Sequence, residues 1–146
     1  MLNGKKIVVT GCASGIGKEV ARLIKEAGGY VLGVDLSVTD DYVDELYRAD
    51  LSDPDSIRDL IHVLPRGIDG LANVAGLPPT KPAAKVLAVN YVGLKALTVG
   101  LVPKMADGAS IVNVASLAGI GWPNMVSSIL ESESLAFEDI EQFVKT

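Results

Sequence analysis

The stretch Thr10-Gly11-Cys12-Ala13-Ser14-Gly15-Ile16-Gly17 decides the fold of this chain. It follows an apolar, β-branched run over 5–10, a composition typical of a buried parallel strand. After it, apolar residues recur at helical spacing as far as Gly28. Glycines at a strand-to-helix turn let a ligand approach the backbone closely, and the free amides at the helix start face an anion. The stretch therefore predicts a nucleotide site that binds a diphosphate.

Three further motifs follow this stretch along the chain. They are Asn73-Val74-Ala75-Gly76, Val89-Asn90-Tyr91-Val92-Gly93, and the strand from Ile111 to Ser116. Together with the spacing T-G-x-x-x-G-x-G, they resemble the short-chain dehydrogenase/reductase family over essentially the whole chain. The resemblance implies an oxidoreductase that uses a nicotinamide dinucleotide.

Strand and helix patterns alternate along the chain, which predicts an α/β fold built on a doubly wound, Rossmann-like parallel sheet. The predicted strands lie near 5–10, 30–35, 45–50, 68–74 and 109–115, and the predicted helices near 15–28, 53–63, 80–105 and 124–145. The resemblance implies the strand order 3-2-1-4-5. In that order, the crevice for a ligand lies between the first and fourth strands.

The length of 146 residues suits one domain. We expect 1–146 to form a single, incomplete NAD-binding domain, because domains of the family are usually longer and the C-terminal strands are absent from this sequence. Apolar residues spaced between acidic ones over Ser134–Lys145 predict an amphipathic helix. The segment 117–146 resembles an insertion in the bacterial 3α-hydroxysteroid dehydrogenase/carbonyl reductase branch of the family. Alternatively, it serves contacts between subunits.

Composition narrows the classes of partner. The formal net charge of −5 disfavours nucleic acid, which needs a basic surface. One cysteine precludes an internal disulfide, and no secretory signal precedes the first strand, so we expect a cytoplasmic protein. Gly108–Leu130 is uncharged and long enough to span a bilayer, but its asparagines, proline and glycines fit a buried strand and a loop better. The expected partners are a small-molecule substrate and, from the resemblance, further copies of the chain.

Acidic residues after two of the strands indicate which nucleotide binds. A carboxylate at Asp35 can accept hydrogen bonds from both ribose hydroxyls of an adenosine and would repel a 2′-phosphate. NADP-preferring relatives tend to place a basic residue at the position of Ser14 or Leu36, so the resemblance favours NAD. It also implies that Asp50 and the backbone of Leu51 bind adenine. The alternatives are a solvated acid at Asp35 and a helix-capping acid at Asp50.

The remaining cofactor contacts come from the motif after the fourth strand. The small residues Ala75 and Gly76 allow close backbone approach to the nicotinamide ribose, whereas Asn73 could instead stabilise the sheet. The complete predicted cofactor-binding set is Gly11, Ser14, Gly15, Ile16, Gly17, Asp35, Leu36, Asp50, Leu51, Asn73, Ala75 and Gly76. No cluster of histidine, cysteine and acidic residues suggests a metal. We therefore expect NAD as the cofactor and no metal.

Two residues are predicted to act in catalysis. Ser116 follows the fifth strand, at the sheet edge where α/β proteins place their sites. Its hydroxyl can stabilise the charge that develops on a carbonyl oxygen during hydride transfer. Asn90 resembles the helix asparagine that holds a water in the family's proton relay. The alternatives are an ordinary loop serine and a buried polar residue that the backbone satisfies.

The family's proton chemistry uses a tyrosine and a lysine four residues later, which share one helix face. Tyr91 and Lys95 have this spacing but precede Ser116, whereas the family's pair follows the serine. We therefore predict that the pair is missing from 1–146 and that this segment alone is inactive. The resemblance implies an enzyme that interconverts a secondary alcohol and a ketone, with a hydroxysteroid or another apolar carbonyl compound as substrate. An inactive NAD-binding sensor or scaffold is the alternative.

Overall fold

The computed structural model describes residues 1–145, and these contain one parallel sheet of five strands. The strands are β1 (Lys6–Thr10), β2 (Tyr30–Asp35), β3 (Glu45–Arg48), β4 (Ile68–Asn73) and β5 (Met105–Asn113). Their order is β3-β2-β1-β4-β5, and each neighbouring pair is parallel. This confirms the predicted α/β fold class, its doubly wound sheet and its strand order.

The helices are α1 (Gly15–Glu26), α2 (Pro54–Val63), α3 (Ala83–Leu87), α4 (Leu94–Leu101), α5 (Val126–Ser132) and α6 (Ile140–Phe143). A π-helical segment, Ala88–Gly93, joins α3 to α4 without a break, and 3₁₀ turns occupy Val102–Lys104, Leu117–Asn124 and Phe137–Asp139. At the start of α2, the Asp53 carboxylate accepts a hydrogen bond from the Asp55 amide (3.0 Å), and Pro54 takes the first helical position.

Different helices cover the two faces of the sheet, and each face has its own cluster of buried apolar residues. On one face, α1 packs against β1 and β2 through Val9, Cys12, Ala21, Ile24 and Val31. On the other, α2 and α4 bury a larger core that includes Val8, Leu32, Ile57, Leu60, Leu71 and Leu97. Because consecutive residues of a strand point to opposite faces, both faces of the central strands are apolar.

The π-helical segment brings the backbone of its helix against the loop that follows β3. A Cβ at Gly93 would lie only 1.9 Å from the carbonyl oxygen of Leu51. Only glycine therefore fits at this contact. The observation explains the glycine at the end of the Val89-Asn90-Tyr91-Val92-Gly93 motif by packing alone.

The predicted helix over 124–145 is wrong. The structure places α5 and α6 there, separated by a turn and a short 3₁₀ segment. Ile140 is 4% exposed and packs with Ala88 and Val92, so the segment bends back onto the outer surface of the preceding helix. This tertiary contact overrides the local apolar periodicity.

One described helical segment, Ala83–Lys104, is long and apolar enough to cross a membrane by length and composition. It does not coincide with Gly108–Leu130, which forms part of a strand, a 3₁₀ turn and a short helix. The prediction of a buried strand there is wrong, because β5 is an edge strand of the described sheet and six of its nine residues are exposed. Leu97 and Leu101, which belong to this segment, are fully buried in the larger core, as expected of a helix that packs against a sheet. Length and composition are therefore weak evidence for a membrane span here.

Candidate functional site

The predicted cofactor residues lie around one cleft at the carboxyl ends of β1, β2 and β4. All of them except Asn73 line this cleft, whose volume is about 380 Å³. Six further residues that were not predicted also line the cleft: Val34, Ala49, Val74, Leu77, Lys85 and Val89. Val74 and Val89 belong to two of the motifs described above, so the sequence could have predicted that these two residues line the cleft.

The glycine-rich loop is packed too closely for side chains at two of its positions. A Cβ at Gly17 would lie 2.0 Å from the carbonyl oxygen of Gly11, and one at Gly11 would lie 2.9 Å from the Cα of Ala75. Gly15 differs, because its φ of +53° favours glycine while nothing lies within 4 Å of its missing Cβ. The loop therefore has a tight inner side and an open side toward the cleft, where a phosphate could approach its amides.

The Thr10 side chain ties this loop to the segment after β4. Its hydroxyl oxygen accepts hydrogen bonds from the amides of Val74 (2.9 Å) and Ala75 (3.0 Å). Thr10 is 1% exposed, so these bonds are shielded from water. The Thr10 side chain thus adds to the β1–β4 backbone pairing that joins the two walls of the cleft.

Asp35 is an ordered acceptor in the cleft. One carboxylate oxygen accepts from the amide of Ala13 in the glycine-rich loop (3.0 Å), and the other accepts from the amide of Ser37 (2.9 Å). A carboxylate has about four acceptor positions, so two remain for ribose hydroxyls. The carboxylate therefore shapes the loop as well as facing the cleft, which a merely solvated acid would not do.

Asp50 also faces the cleft with a fixed orientation. Its carboxylate accepts hydrogen bonds from the hydroxyl (2.6 Å) and the amide (2.8 Å) of Ser52. These bonds, together with the positive charge of Lys85, lower the pKa of the Asp50 carboxyl below its usual value. The cap of α2 is Asp53, so the helix-capping alternative does not describe Asp50.

Asn73 lies beneath the cleft rather than in its lining. It is 3% exposed, and its amide nitrogen donates to Thr98 Oγ1 (3.0 Å) and to Asn113 Oδ1 (2.8 Å). These bonds connect β4 to β5 and α4. The geometry is that of the sheet-stabilising alternative.

Asn90 holds the backbone beside the cleft. Its Oδ1 accepts from the amide of Leu77 (2.7 Å), and its Nδ2 donates to the carbonyl of the same residue (2.9 Å). Leu77 lines the cleft, so Asn90 positions part of the wall. Its role in a proton relay stays a prediction.

Ser116 follows β5 and is exposed outside the lining of the cleft. Its Oγ accepts a hydrogen bond from the Ala118 amide (3.2 Å) at the start of the 3₁₀ turn. The hydroxyl hydrogen is not used in that bond. The hydroxyl therefore keeps a hydrogen to donate, at the sheet edge that also carries the cleft, and its role in catalysis stays a prediction.

Tyr91 and Lys95 lie on the far side of their helix from the cleft. The Lys95 ammonium sits 5.9 Å from the centroid of the Tyr91 ring and donates to the carbonyl of Glu133. Tyr91 packs against the cluster that contains Ile140. Neither side chain lines the cleft, which agrees with the interpretation of their spacing as coincidental.

Cys12 is fully buried beneath the glycine-rich loop. Burial, reinforced by the nearby Asp35 carboxylate, raises the pKa of the Cys12 thiol to about 11. The thiol is therefore protonated near neutral pH and poorly reactive. Packing, rather than redox chemistry, is the role that this environment favours.

A family model described as short chain dehydrogenase matches residues 5–127. The chain is 48% identical over 122 residues to a coniferyl-alcohol dehydrogenase of Pseudomonas sp. (strain HR199 / DSM 7063), covering 84% of this chain and 48% of that protein. It is 35% identical over 107 residues to a 3-alpha-hydroxysteroid dehydrogenase/carbonyl reductase of Comamonas testosteroni, covering 70% of this chain and 39% of that protein.

Among solved structures, the chain is similar to the 3-alpha-hydroxysteroid dehydrogenase from Pseudomonas sp. B-0831 complexed with NADH. The TM-score is 0.74 at 31% identity, and the match covers 94% of this chain and 57% of that one. The chain spans about half the length, or less, of the curated relatives named above.

Proposed function

Because the chain belongs to the short-chain dehydrogenase family, we propose that the intact protein is an NAD-dependent oxidoreductase that interconverts an alcohol and a carbonyl compound. The observation that carries the choice of NAD is Asp35, whose carboxylate faces the cleft and accepts from the loop amide of Ala13. A 2′-phosphate would meet this negative charge. Ser14 and Leu36, which also line the cleft, offer no positive charge to offset it.

The donor and acceptor set of the cleft suits a dinucleotide. The amides at the start of α1 would hold the diphosphate, Asp35 the adenosine ribose, and Asp50 the adenine amino group. Ala75 and Gly76 leave room beside the nicotinamide ribose. When bound, the nicotinamide supplies the position that accepts or delivers the hydride.

The contribution of the chain to the reaction itself centres on Ser116. We propose that its hydroxyl donates to the substrate oxygen and stabilises the charge that develops there. The 3₁₀ turn that follows exposes Leu117, Ile120 and Trp122 at 84%, 72% and 60% of their surfaces. These side chains would give the substrate an apolar wall, since apolar pockets favour apolar ligands.

The substrate that we propose is an apolar alcohol or its carbonyl counterpart. Two relatives support this class: the one named for coniferyl alcohol, at 48% identity, and the one named for 3-alpha-hydroxysteroids, at 35%. The test is whether the intact protein, supplied with NAD, oxidises coniferyl alcohol or a 3α-hydroxysteroid. The reaction is monitored through the absorbance of the NADH that it forms. No turnover of either, with NADH bound normally, would favour the alternative of an inactive NAD-binding sensor or scaffold.

Replacing Asp35 with alanine is expected to weaken NAD binding and to relax discrimination against NADP. A hydrogen bond to a charged group contributes about 1.5–3 kcal/mol, which corresponds to a roughly 10- to 100-fold higher Kd for NAD. Titration of both cofactors into the intact protein measures the change. Asp40→Ala, which removes an exposed carboxylate outside the cleft, is the control. Equal or tighter binding of NADP by the unmodified protein would contradict the choice of NAD.

A polypeptide of residues 1–146 alone is expected not to oxidise NADH in the presence of a ketone. The reason is that Tyr91 and Lys95 face Glu133 and Ile140 instead of the cleft, so no tyrosine–lysine pair is available for proton transfer. The measurement is NADH absorbance over time, with Tyr91→Phe as the control. Substantial turnover that disappears in Tyr91→Phe would show that this pair is catalytic.

A further inference from the structure

We propose that Lys85 is a further cofactor-binding residue, whose ammonium group attracts the diphosphate of the nucleotide into the cleft. The inference rests on the proposed function, because it concerns the same site. Lys85 lies on α3, one helical turn before Val89, and both residues line the cleft.

The balance of charge in the cleft gives Lys85 its importance. Among the described residues that line the cleft, Lys85 is the only basic one, whereas Asp35 and Asp50 are both acidic. A dinucleotide brings a further negative charge at each phosphate of its diphosphate. Two carboxylates that bind the adenosine thus repel the rest of the ligand, and a cation on the same cleft offsets that repulsion.

The ammonium group of Lys85 is available for this purpose. Within the described part of the chain, its side chain has no ion pair or hydrogen bond. Lys18, the basic residue next to the loop in sequence, is instead held by the Asp41 carboxylate at 2.6 Å. The charge of Lys85 nevertheless acts within the cleft, because it contributes to the lowered pKa of Asp50.

The position of Lys85 complements the amides of the glycine-rich loop. Those amides, at the N-terminal end of α1, provide positive potential on one side of the cleft. Lys85 is exposed and lines the same cleft, so its ammonium adds to this potential. A diphosphate bound by the loop amides would therefore also be attracted by the charge of Lys85.

The test compares Lys85→Gln with the unmodified intact protein. Stopped-flow fluorescence gives the association rate of NADH, and titration gives its Kd, at low salt and at 0.5 M NaCl. An exposed charge at the mouth of a site acts mainly on the association rate and is screened by salt. We expect a roughly three- to ten-fold slower association and a correspondingly higher Kd at low salt, with most of the difference absent at 0.5 M. Lys85→Arg should restore the unmodified values.

A control variant and two further ligands test whether the charge of Lys85 acts on the diphosphate. Lys81→Gln changes the net charge equally at an exposed residue outside the cleft, and it should leave NADH binding unchanged. Adenosine diphosphate should lose affinity in Lys85→Gln as NADH does, whereas adenosine should not. Unchanged rates and affinities in Lys85→Gln at low salt would overturn the assignment of Lys85 alone. Failure of the unmodified protein to bind NADH would instead overturn the proposed function.

Discussion

Replacing Gly17 with alanine is expected to weaken NADH binding by roughly 100-fold or more, because hydrogen bonds from loop amides to a charged phosphate contribute about 1.5–3 kcal/mol each. The new Cβ would lie 2.0 Å from the carbonyl oxygen of Gly11. Gly11 is itself packed closely against Ala75, whose Cα lies 2.9 Å from where a Gly11 Cβ would be, which restricts its movement. The loop must therefore distort, and its amides lose their alignment toward the diphosphate.

The same substitution should lower the free energy of unfolding by about 1–3 kcal/mol, the usual cost of overpacking a filled site. Urea unfolding and NADH titration of the intact protein measure the two effects. Gly119→Ala is the matched control, because nothing lies within 4 Å of the corresponding Cβ and the residue is exposed. Unchanged stability and affinity in Gly17→Ala would mean that the loop is not packed as described.

If the proposed function holds, Ser116→Ala is expected to lower kcat of the intact protein by roughly 10²–10³, the usual effect of removing one donor to a developing oxyanion. NADH affinity should change little, because Ser116 does not line the cofactor cleft. Stopped-flow measurement of hydride transfer, with matched NADH titrations, separates the two quantities. Near-normal turnover in a folded Ser116→Ala variant would show that the serine is only a loop residue.

Two other effects of Ser116→Ala must be separated from lost chemistry: removal of a hydroxyl near β5 and loss of the cap on the following turn. Ser110→Ala removes a hydroxyl from the middle of β5, on the strand that leads to Ser116, and should leave kcat unchanged. Ser116 also caps the following turn through the Ala118 amide (3.2 Å), and loss of such a cap costs about 1 kcal/mol. A thermal unfolding curve for each variant distinguishes lost chemistry from a weakened turn.

The sequence predicts those parts of the fold that depend on local hydrophobic pattern and on the right-handedness of the connections between parallel strands. Buried parallel strands are continuous apolar runs, and the right-handed crossovers that connect them restrict the possible orders of the sheet. The glycine-rich loop and Asp35 were predictable for a related reason. Each occupies the end of a strand, and in a parallel sheet those ends meet along one edge.

The parts that could not be predicted depend on contacts distant in sequence. The break between α5 and α6 follows from burial of Ile140 against a helix about fifty residues earlier, which no local periodicity records. Asn73 stands in a recognised motif, yet its partners Thr98 and Asn113 direct its side chain into the sheet. Lys85 belongs to no motif, and its position in the cleft becomes evident only once the chain is folded.

The close contact between Gly93 and Leu51 has a mechanical consequence for the nucleotide site. No side chain lies between the helix backbone and the loop that carries Asp50, so there is no compressible layer to absorb a movement of the helix. A displacement of a few tenths of an ångström would therefore be transmitted to Asp50 and Leu51, which we propose contact adenine. Substitutions that shift this helix, including those at its outer surface where Ile140 packs, are therefore expected to alter nucleotide affinity even where the core keeps its stability.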